Sequence, residues 1–411
     1  MKTVVVGGGA SGMISAIFQA RQGAEVILIE KNEKLGKKLY ITGKGRCNLT
    51  NDSSVENVLN NVVSNPKFLM SAVNAFSPSD VMSFFKELGL MLKTERGNRV
   101  FPVSDKSSDV IKVLKTELER LNVDIHYNET AKSLMVNESR ICGIITDKTE
   151  YFADKVIVAT GGLSYPSTGS TGDGYTFAKS VGHTVTNLYP SLCGFNLKGD
   201  EFKELQGLTL KNVKVTLSDN NKQYYEEQGE MLITHYGVSG PLILTGSALT
   251  ARRSFDKISL SIDLKPALTT KQLDARLLRD FQSANNKEIK NVLVELLPKT
   301  AIPLVLNRAG VKEYKKVSVI TSEERARLVN TLKNLTFEVH SLRAYTEAVI
   351  TSGGVLVKEI NPKTMESKLI SGLYFVGEVL DIDAFTGGYN LQIAFSTGYL
   401  AGNDTKGVNL C

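Results

Sequence analysis

The sequence predicts an α/β protein whose parallel-sheet domain is built from both ends of the chain, with a β module and a helical module inserted between them. Three observations carry this expectation. The chain opens with "KTVVVGGGASGMISA", which reads as strand, glycine turn and small-residue helix. Two further apolar runs end in glycine, "VIVATGG" at 156–162 and "LYFVGE" at 373–378, as strands of the same buried sheet would. Between them the pattern changes: apolar and polar residues alternate from about Pro190, and residues 269–333 are rich in Leu and charged side chains.

Taken in order, residues 2–6 form the first strand, a helix runs from about Ser11 to Gln22, and Gly23 ends it before the second strand, "AEVILIE". "SPSDVMSFFKELGL" has the start signal and spacing of a helix, and "SSDVIKVLKTELERLNVDIHYNET" reads as helix then strand. "AKSLMVNESRICGIITDKTEYFADKVIVATGG" is hairpin-like and ends in a buried strand. "KNVKVTLSDNNKQYYEEQGEMLITHYGVSGPLIL" and "DKISLSIDLKP" suggest a small barrel or sandwich. The resulting division is 1–190 with 341–411 for the sheet domain, 191–268 with 334–340 for the β module, and 269–333 for the helical module.

Bulk properties narrow the function. The chain has 411 residues, 42% hydrophobic and 22% charged, as in a globular protein of more than one domain. No apolar run approaches the roughly 18 residues of a membrane span, and Val4 to Val6 is too short for a signal-peptide core, so a cytoplasmic location is expected. Cys47, Cys142, Cys193 and Cys411 form no CxxC pair, and the four histidines form no zinc-like cluster. No metal site is expected. A net charge of +6 suits an anionic ligand or an RNA surface without selecting either.

Gly7, Gly9 and Gly12 stand in GxGxxG spacing between a strand and a helix. Gly7 permits the tight turn, Gly9 the approach of a pyrophosphate and Gly12 close helix–strand packing. The helix start, with Ala10 and Ser11, offers free N–H groups to phosphates. Glu30 ends the second strand 18 residues after Gly12, near the offset expected for an acid that binds a ribose diol. The dinucleotide is expected to be FAD. Thr160, Gly161 and Gly162 form a second glycine turn, Gly377 and Glu378 end a late strand, and "GGYNLQIAFSTG" starts a helix at Gly388 whose N–H groups could face a flavin edge.

These motifs, together with "EKNEKLGKKLYITGKGRCNLTN", "VIVATGGLSYPSTGSTGDGY", "LITHYGVSGP", "TMESK" and "GLYFVGEVLDIDAFTGGYNLQIAFSTG", resemble the bacterial three-domain flavoproteins. That family of NAD(P)/FAD-dependent oxidoreductases has aminoacetone oxidase-like and bile-acid reductase-like members, and the resemblance spans essentially the whole chain. It implies a Rossmann-type FAD-binding domain, with a glutathione-reductase-like βαβ unit, carrying inserted β-barrel and small helical domains. Many flavoproteins have Asp after the late-strand glycine, where Glu378 stands here.

"TGKGRCN", residues 42–48, is not a Walker loop, because Lys38 stands where Gly is needed and Gly45 where Ser or Thr is needed. It is expected to cover the flavin, with Lys37, Lys38, Lys44 and Arg46 offsetting phosphate charge, Gly43 allowing close approach and Asn48 bonding a ring edge. The expected cofactor set also includes Lys31, Cys47, Ala131, Tyr389, Asn390, Leu391 and Gln392. Candidate catalytic groups are Cys47, read either as an activated thiol beside two cations or as a buried filler, and His235 and Tyr165. Asp173 is expected to cap a helix starting near Gly174, and His126, His183 and His340 to be structural.

A single GxGxxG without a cysteine pair excludes a dithiol reductase. The leading expectation is hydride transfer through FAD to an activated C=C bond of a small substrate, with NAD(P)H as a transient donor in the same open site. The rival is an oxidase of a small amine such as an aminoketone. The resemblance also reaches flavoproteins implicated in reducing a uracil of ribosomal RNA to dihydrouridine, which would make RNA a partner. A non-enzymatic flavin sensor has no effector module to support it. The sequence is silent on oligomeric state.

Overall fold

The computed structural model describes residues 1–219 and 222–404; Cys411 lies outside them. The chain divides into two compact units, residues 1–191 with 344 onward, and residues 192–343.

The first unit is built on a five-stranded, all-parallel sheet. β1 (Lys2–Val6) lies at its centre, between β2 (Glu25–Glu30) and strand Lys155–Val158; Asp124–Tyr127 and Leu373–Phe375 form the edges. Val4 and Val5 are fully buried, as are Val156, Ile157 and Val158, which explains apolar runs without alternation. Helix α1 (Ala10–Arg21) packs on the sheet, and the C-terminal helix Tyr389–Asn403 packs on α1. Small residues allow that approach. A Cβ on Gly398 would stand 2.6 Å from the Ser11 carbonyl oxygen, and one on Gly402 2.8 Å from that of Ser15. Ser15 Oγ donates to Gly398 O at 3.0 Å and Gln19 Nε2 to Gly402 O at 2.7 Å. These bonds tie the last helix to the first, so the two chain ends make one domain.

The antiparallel stretch expected after residue 131 is a three-stranded sheet, Ala131–Asn137, Arg140–Thr146 and Glu150–Phe152. The helix expected in "SPSDVMSFFKELGL" runs Pro78–Glu87 and starts with a Ser77/Asp80 capping box. The small sheet of Thr50–Asn51, Arg99–Pro102 and Leu92–Glu95 gave no sequence signal, because its strands are two to four residues long.

In the second unit six strands close a barrel, in the order Phe195–Leu197, Gly237–Ser239, Lys222–Thr234, Thr209–Asp219, Ser259–Asp263 and Leu335–Leu342. Helices Thr270–Ser283, Ile302–Ala309 and Ser322–Lys333 occupy the expected helical segment. Their Leu277, Val305 and Leu328 share one apolar core with Leu260, Ile262 and Phe337 of the barrel. The β reading fails at "GPLIL", where Pro241–Thr250 is a helix starting on Gly240 at φ 98°, with Pro241 in its first turn.

Candidate functional site

Gly7 ends β1 at φ +105°, and a Cβ there would lie 2.6 Å from the Ala159 carbonyl oxygen. A Cβ on Gly12 would stand 1.9 Å from Gly7 O, so α1 sits directly on its own turn. Gly9 differs: nothing lies within 4 Å of an added Cβ, and the residue faces a cleft. Gly9 caps α1 with no side-chain bond, and the first turn carries no acid. The helix start therefore presents N–H groups and positive potential to that open space. Glu30 is buried with its carboxylate fixed, Oε2 accepting from Gly8 N at 2.8 Å and Oε1 from Asn32 N at 2.8 Å.

The cleft is lined by Gly7, Gly9, Ala10, Ser11, Glu30, Lys31, Lys38, Ala131, Thr160, Gly161, Glu378, Asn390 and Leu391. These come from seven separate stretches of sequence brought together at the strand ends. Gly162 and Gly377 stand directly behind it. A Cβ on Gly162 would meet Thr351 Oγ1 at 2.5 Å, and one on Gly377, at φ +73°, would meet Ser11 Oγ at 2.6 Å. Gly388, at φ +100°, caps the C-terminal helix against the Thr50 backbone, where a Cβ would come within 2.4 Å. That helix also starts without a side-chain cap or an acid.

Several expected contacts are engaged elsewhere. Gln392 is fully buried, giving Nε2 to Phe76 O at 2.8 Å and accepting Thr50 Oγ1 at 2.5 Å, so its amide holds the helix in place. The side chain of Asn390 secures the preceding loop, accepting from Ala384 N at 2.9 Å and donating to Ala384 O at 2.8 Å. Tyr389 is buried, its hydroxyl accepting from Asn57 Nδ2 at 3.2 Å. Lys31 Nζ reaches Asp173 Oδ2 and Thr171 Oγ1, both at 2.6 Å. Asp173 is the first helical residue rather than the cap, which is Gly172 in the left-handed region.

The 42–48 loop is also corrected in part. Gly43, Lys44, Gly45 and Cys47 all have positive φ. Arg46, expected to offset phosphate charge, pairs with Glu95 at 2.5 Å and Asp105 at 2.6 Å and lies over the Phe101 ring. Cys47 is fully buried, and burial pushes its thiol far above the ordinary range, which removes the activated-thiolate reading. Cys47→Ala is expected to retain FAD and turnover within about twofold while losing about 1 kcal/mol of stability. A large loss of turnover with FAD retained would reverse that assignment.

Lys38 joins two walls of the cleft. Its ammonium pairs with Glu378 Oε2 and donates to Ser164 Oγ at 2.5 Å, while Glu378 Oε1 accepts from Ser164 Oγ at 2.6 Å and from Thr351 N at 3.0 Å. Ser164 lies in the quoted stretch 156–175 but was not singled out there, Thr351 lies in no quoted motif, and only the fold brings both to Glu378. Lys38→Met is expected to cost about 2 kcal/mol, below the value for a fully buried pair because Lys38 is partly exposed. Adding Glu378→Gln should recover about half of that, and thermal melting of the two single variants and the double variant checks it.

Tyr165 stands at φ 53°, half-buried, with its N–H donated to Tyr345 O at 3.0 Å; burial and Glu347 raise its hydroxyl above the usual tyrosine range. His126 and His183 are structural: His126 bonds Asp124 and Tyr151, and His183 bonds Glu359 and Ser367. His235 belongs to the second unit, edge-on to Tyr236 at 5.0 Å.

The residues present fit a dinucleotide. Among the described residues, two of the three buried side-chain polar atoms without a partner are Thr160 Oγ1, in the cleft lining, and Asn48 Oδ1, in the 42–48 loop. Gly9 leaves open the space a phosphate would take. The fold and this cleft define an FAD-dependent oxidoreductase of the Rossmann type. The chain belongs to the family described as HI0933-like protein Rossmann domain, which matches residues 1–404. It is 32% identical over 402 residues to the 3-dehydro-bile acid delta(4,6)-reductase of Clostridium scindens, covering 97% of both chains. It is 30% identical over 403 residues to a ribosomal RNA dihydrouridine synthase of Haemophilus influenzae, covering 97% of this chain and 96% of the relative. The solved structure of 3-ketosteroid-delta4-(5alpha)-dehydrogenase from Rhodococcus jostii RHA1 has the same fold. It superposes with a TM-score of 0.52 at 15% identity, over 98% of this chain and 95% of its own. Among the described residues no helix is long and apolar enough to cross a membrane, and no group of His, Cys, Asp or Glu could hold a metal.

Proposed function

We propose that this protein moves a hydride from NAD(P)H to the activated C=C bond of a small molecule, with FAD as the carrier. The observation that supports this reading above others is the likeness, across nearly the full length, to a relative named for reduction of a delta(4,6) bile acid. When bound, FAD supplies the ring that accepts and releases the hydride. The protein's own residues would bind and orient it. Gly9, Ala10 and Ser11 at the start of α1 would hold the pyrophosphate, and Glu30 a ribose diol. The uncapped start of the helix at Gly388 would face the ring, with Thr160 and Asn48 donating or accepting at its margin. Lys38 would fix Glu378 in one orientation beside the cofactor. Reduction of C=C also needs a proton at the neighbouring carbon. Tyr165, kept protonated through neutral pH, is the candidate to supply it.

A second reading has specific support. The relative named ribosomal RNA dihydrouridine synthase is 30% identical, and the C5=C6 bond of uracil is itself an activated C=C bond. The same chemistry could then act on an RNA carrier, which the net charge of +6 would tolerate.

The test is anaerobic. FAD-loaded protein is mixed with NADPH or NADH, and the flavin band near ~450 nm is followed. The protein is then offered a conjugated steroid ketone, unmodified ribosomal RNA or an aminoketone with oxygen. Bleaching by a nicotinamide nucleotide and recovery with the ketone is the expected result. Recovery with RNA alone, in a salt-sensitive manner, would favour the second reading. Peroxide formation from the aminoketone without need of NAD(P)H would replace both with an amine oxidase.

A further inference from the structure

Behind the wall of the FAD cleft lies a second pocket that the proposed function does not use. The stretch 33–42 separates the two. Gly36, Lys37, Lys38 and Leu39 line the cleft, whereas Glu33, Lys34, Leu35 and Tyr40 line the second pocket. The opposite side of that pocket is Ser108, Ile111 and Lys115 of helix Ser107–Arg120, with Tyr127 from the edge strand.

The pocket's chemistry is selective. Leu35 and Ile111 supply an apolar floor, and Tyr40, half-exposed, and Tyr127 supply two aromatic walls. Each ring carries a lysine: Lys34 Nζ lies 5.6 Å from the Tyr40 centroid and Lys115 Nζ 5.9 Å from that of Tyr127. The one acid in the lining, Glu33, pairs with Lys37 at 3.3 Å, and its carboxyl is held below the usual carboxylate range by backbone and Lys37 hydrogen bonds. Lys115 has a loose surface partner, Glu119 at 3.6 Å. Aromatic walls with cations close to their rings suit a flat ring that bears an anionic group, and a cavity of about 270 Å³ suits a small molecule.

We propose that this pocket is a second ligand site, that it takes a nucleotide monophosphate by stacking the base on the tyrosines and pairing the phosphate with Lys34 and Lys115, and that its occupancy is coupled to the glycine turn of the FAD cleft. The coupling path is short. Leu35 packs against the turn so closely that a Cβ on Gly8 would stand 2.3 Å from Leu35 Cδ2. Gly36 N donates to Gly8 O at 2.9 Å, and Gly8 N donates to Glu30 Oε2 at 2.8 Å. A ligand that immobilises residues 33–36 therefore also immobilises the loop that closes on the pyrophosphate.

The test uses FAD-loaded protein, so that the probe cannot enter the cleft, with AMP as the probe and adenosine and inorganic phosphate as its separate parts. Calorimetric titration is expected to show one AMP site with a dissociation constant of about 1 mM or tighter. The parts should bind more weakly than the whole. Lys34→Glu with Lys115→Glu should abolish AMP binding, and Tyr40→Ala should weaken it about tenfold, with FAD content unchanged in both. Saturating AMP should slow FAD dissociation about fivefold in the wild type and leave it unchanged in the double-lysine variant. No heat up to about 5 mM AMP, binding that survives the lysine changes, or FAD release indifferent to bound AMP would each overturn the proposal. None of these outcomes depends on which C=C substrate the enzyme reduces.

Discussion

Gly12→Ala is expected to yield a protein that purifies without FAD and melts well below the wild type. The added methyl would stand 1.9 Å from Gly7 O, 3.1 Å from Gly7 C and 3.2 Å from the Ala159 side chain. Backbone cannot yield as a flexible side chain can, so α1 must lift from β1. Overpacking of this kind costs about 3 kcal/mol, or roughly 6–12 °C in melting temperature for a unit of this size. The lift also misdirects the N–H groups at the start of α1, so FAD affinity should fall by far more than stability. Gly9→Ala is the control. Its Cβ meets nothing within 4 Å, and φ −82° suits alanine. It should hold its melting temperature without ligand within about 2 °C and lose FAD affinity about tenfold, because the methyl enters space reserved for phosphate. Equal FAD content and equal melting in Gly12→Ala and wild type would refute the assignment of this turn.

The second large effect is a dependence of stability on alkaline pH set by Lys155. This lysine opens a central strand yet is only 3% exposed; its ammonium donates to Ala401 O at 2.6 Å and Asp404 O at 2.9 Å and lies 4.0 Å over the Tyr374 ring. Those partners stabilise the charge, but burial outweighs them and brings the group from 10.5 down to about 8. The folded value lies below the unfolded one, so the unfolded chain binds more protons between those limits. Stability must then rise with pH across that window. The burial penalty is complete below about pH 8 and gone above about 10.5, a span on the order of 3 kcal/mol. Tyr374 opposes this at the upper end, since burial raises its hydroxyl and its unfolded form ionises first. Comparison with Lys155→Met isolates the lysine. Urea midpoints of wild type relative to this variant should climb from pH 7 to pH 10, and a flat difference would show that the ammonium is not buried as described.

The sequence alone determined the parts of this protein that depend on local spacing. GxGxxG after a valine run, and an acid 18 residues further on, specify a strand, a turn and a helix start wherever they fold, because glycine conformation and strand period are local properties. The last helix and its glycines were legible for the same reason, as were the alternating strands of the barrel and the presence of short helices within 269–333.

Tertiary structure decided which polar groups remain available to a ligand. Beside one another in sequence, Arg46 was expected to offset phosphate charge and Cys47 was open between an activated thiol and a buried filler. Arg46 is matched instead by Glu95 and Asp105, roughly fifty and sixty residues away, and Cys47 is sealed in the core. Gln392 was expected to touch the cofactor and instead bonds Phe76 O, while Ser164 and Thr351, neither of which was expected at the site, converge on Glu378. Charge, burial and hydrogen-bond satisfaction depend on neighbours distant in the chain. A motif therefore shows where the backbone turns, and packing determines which side chains near that turn stay free to do chemistry.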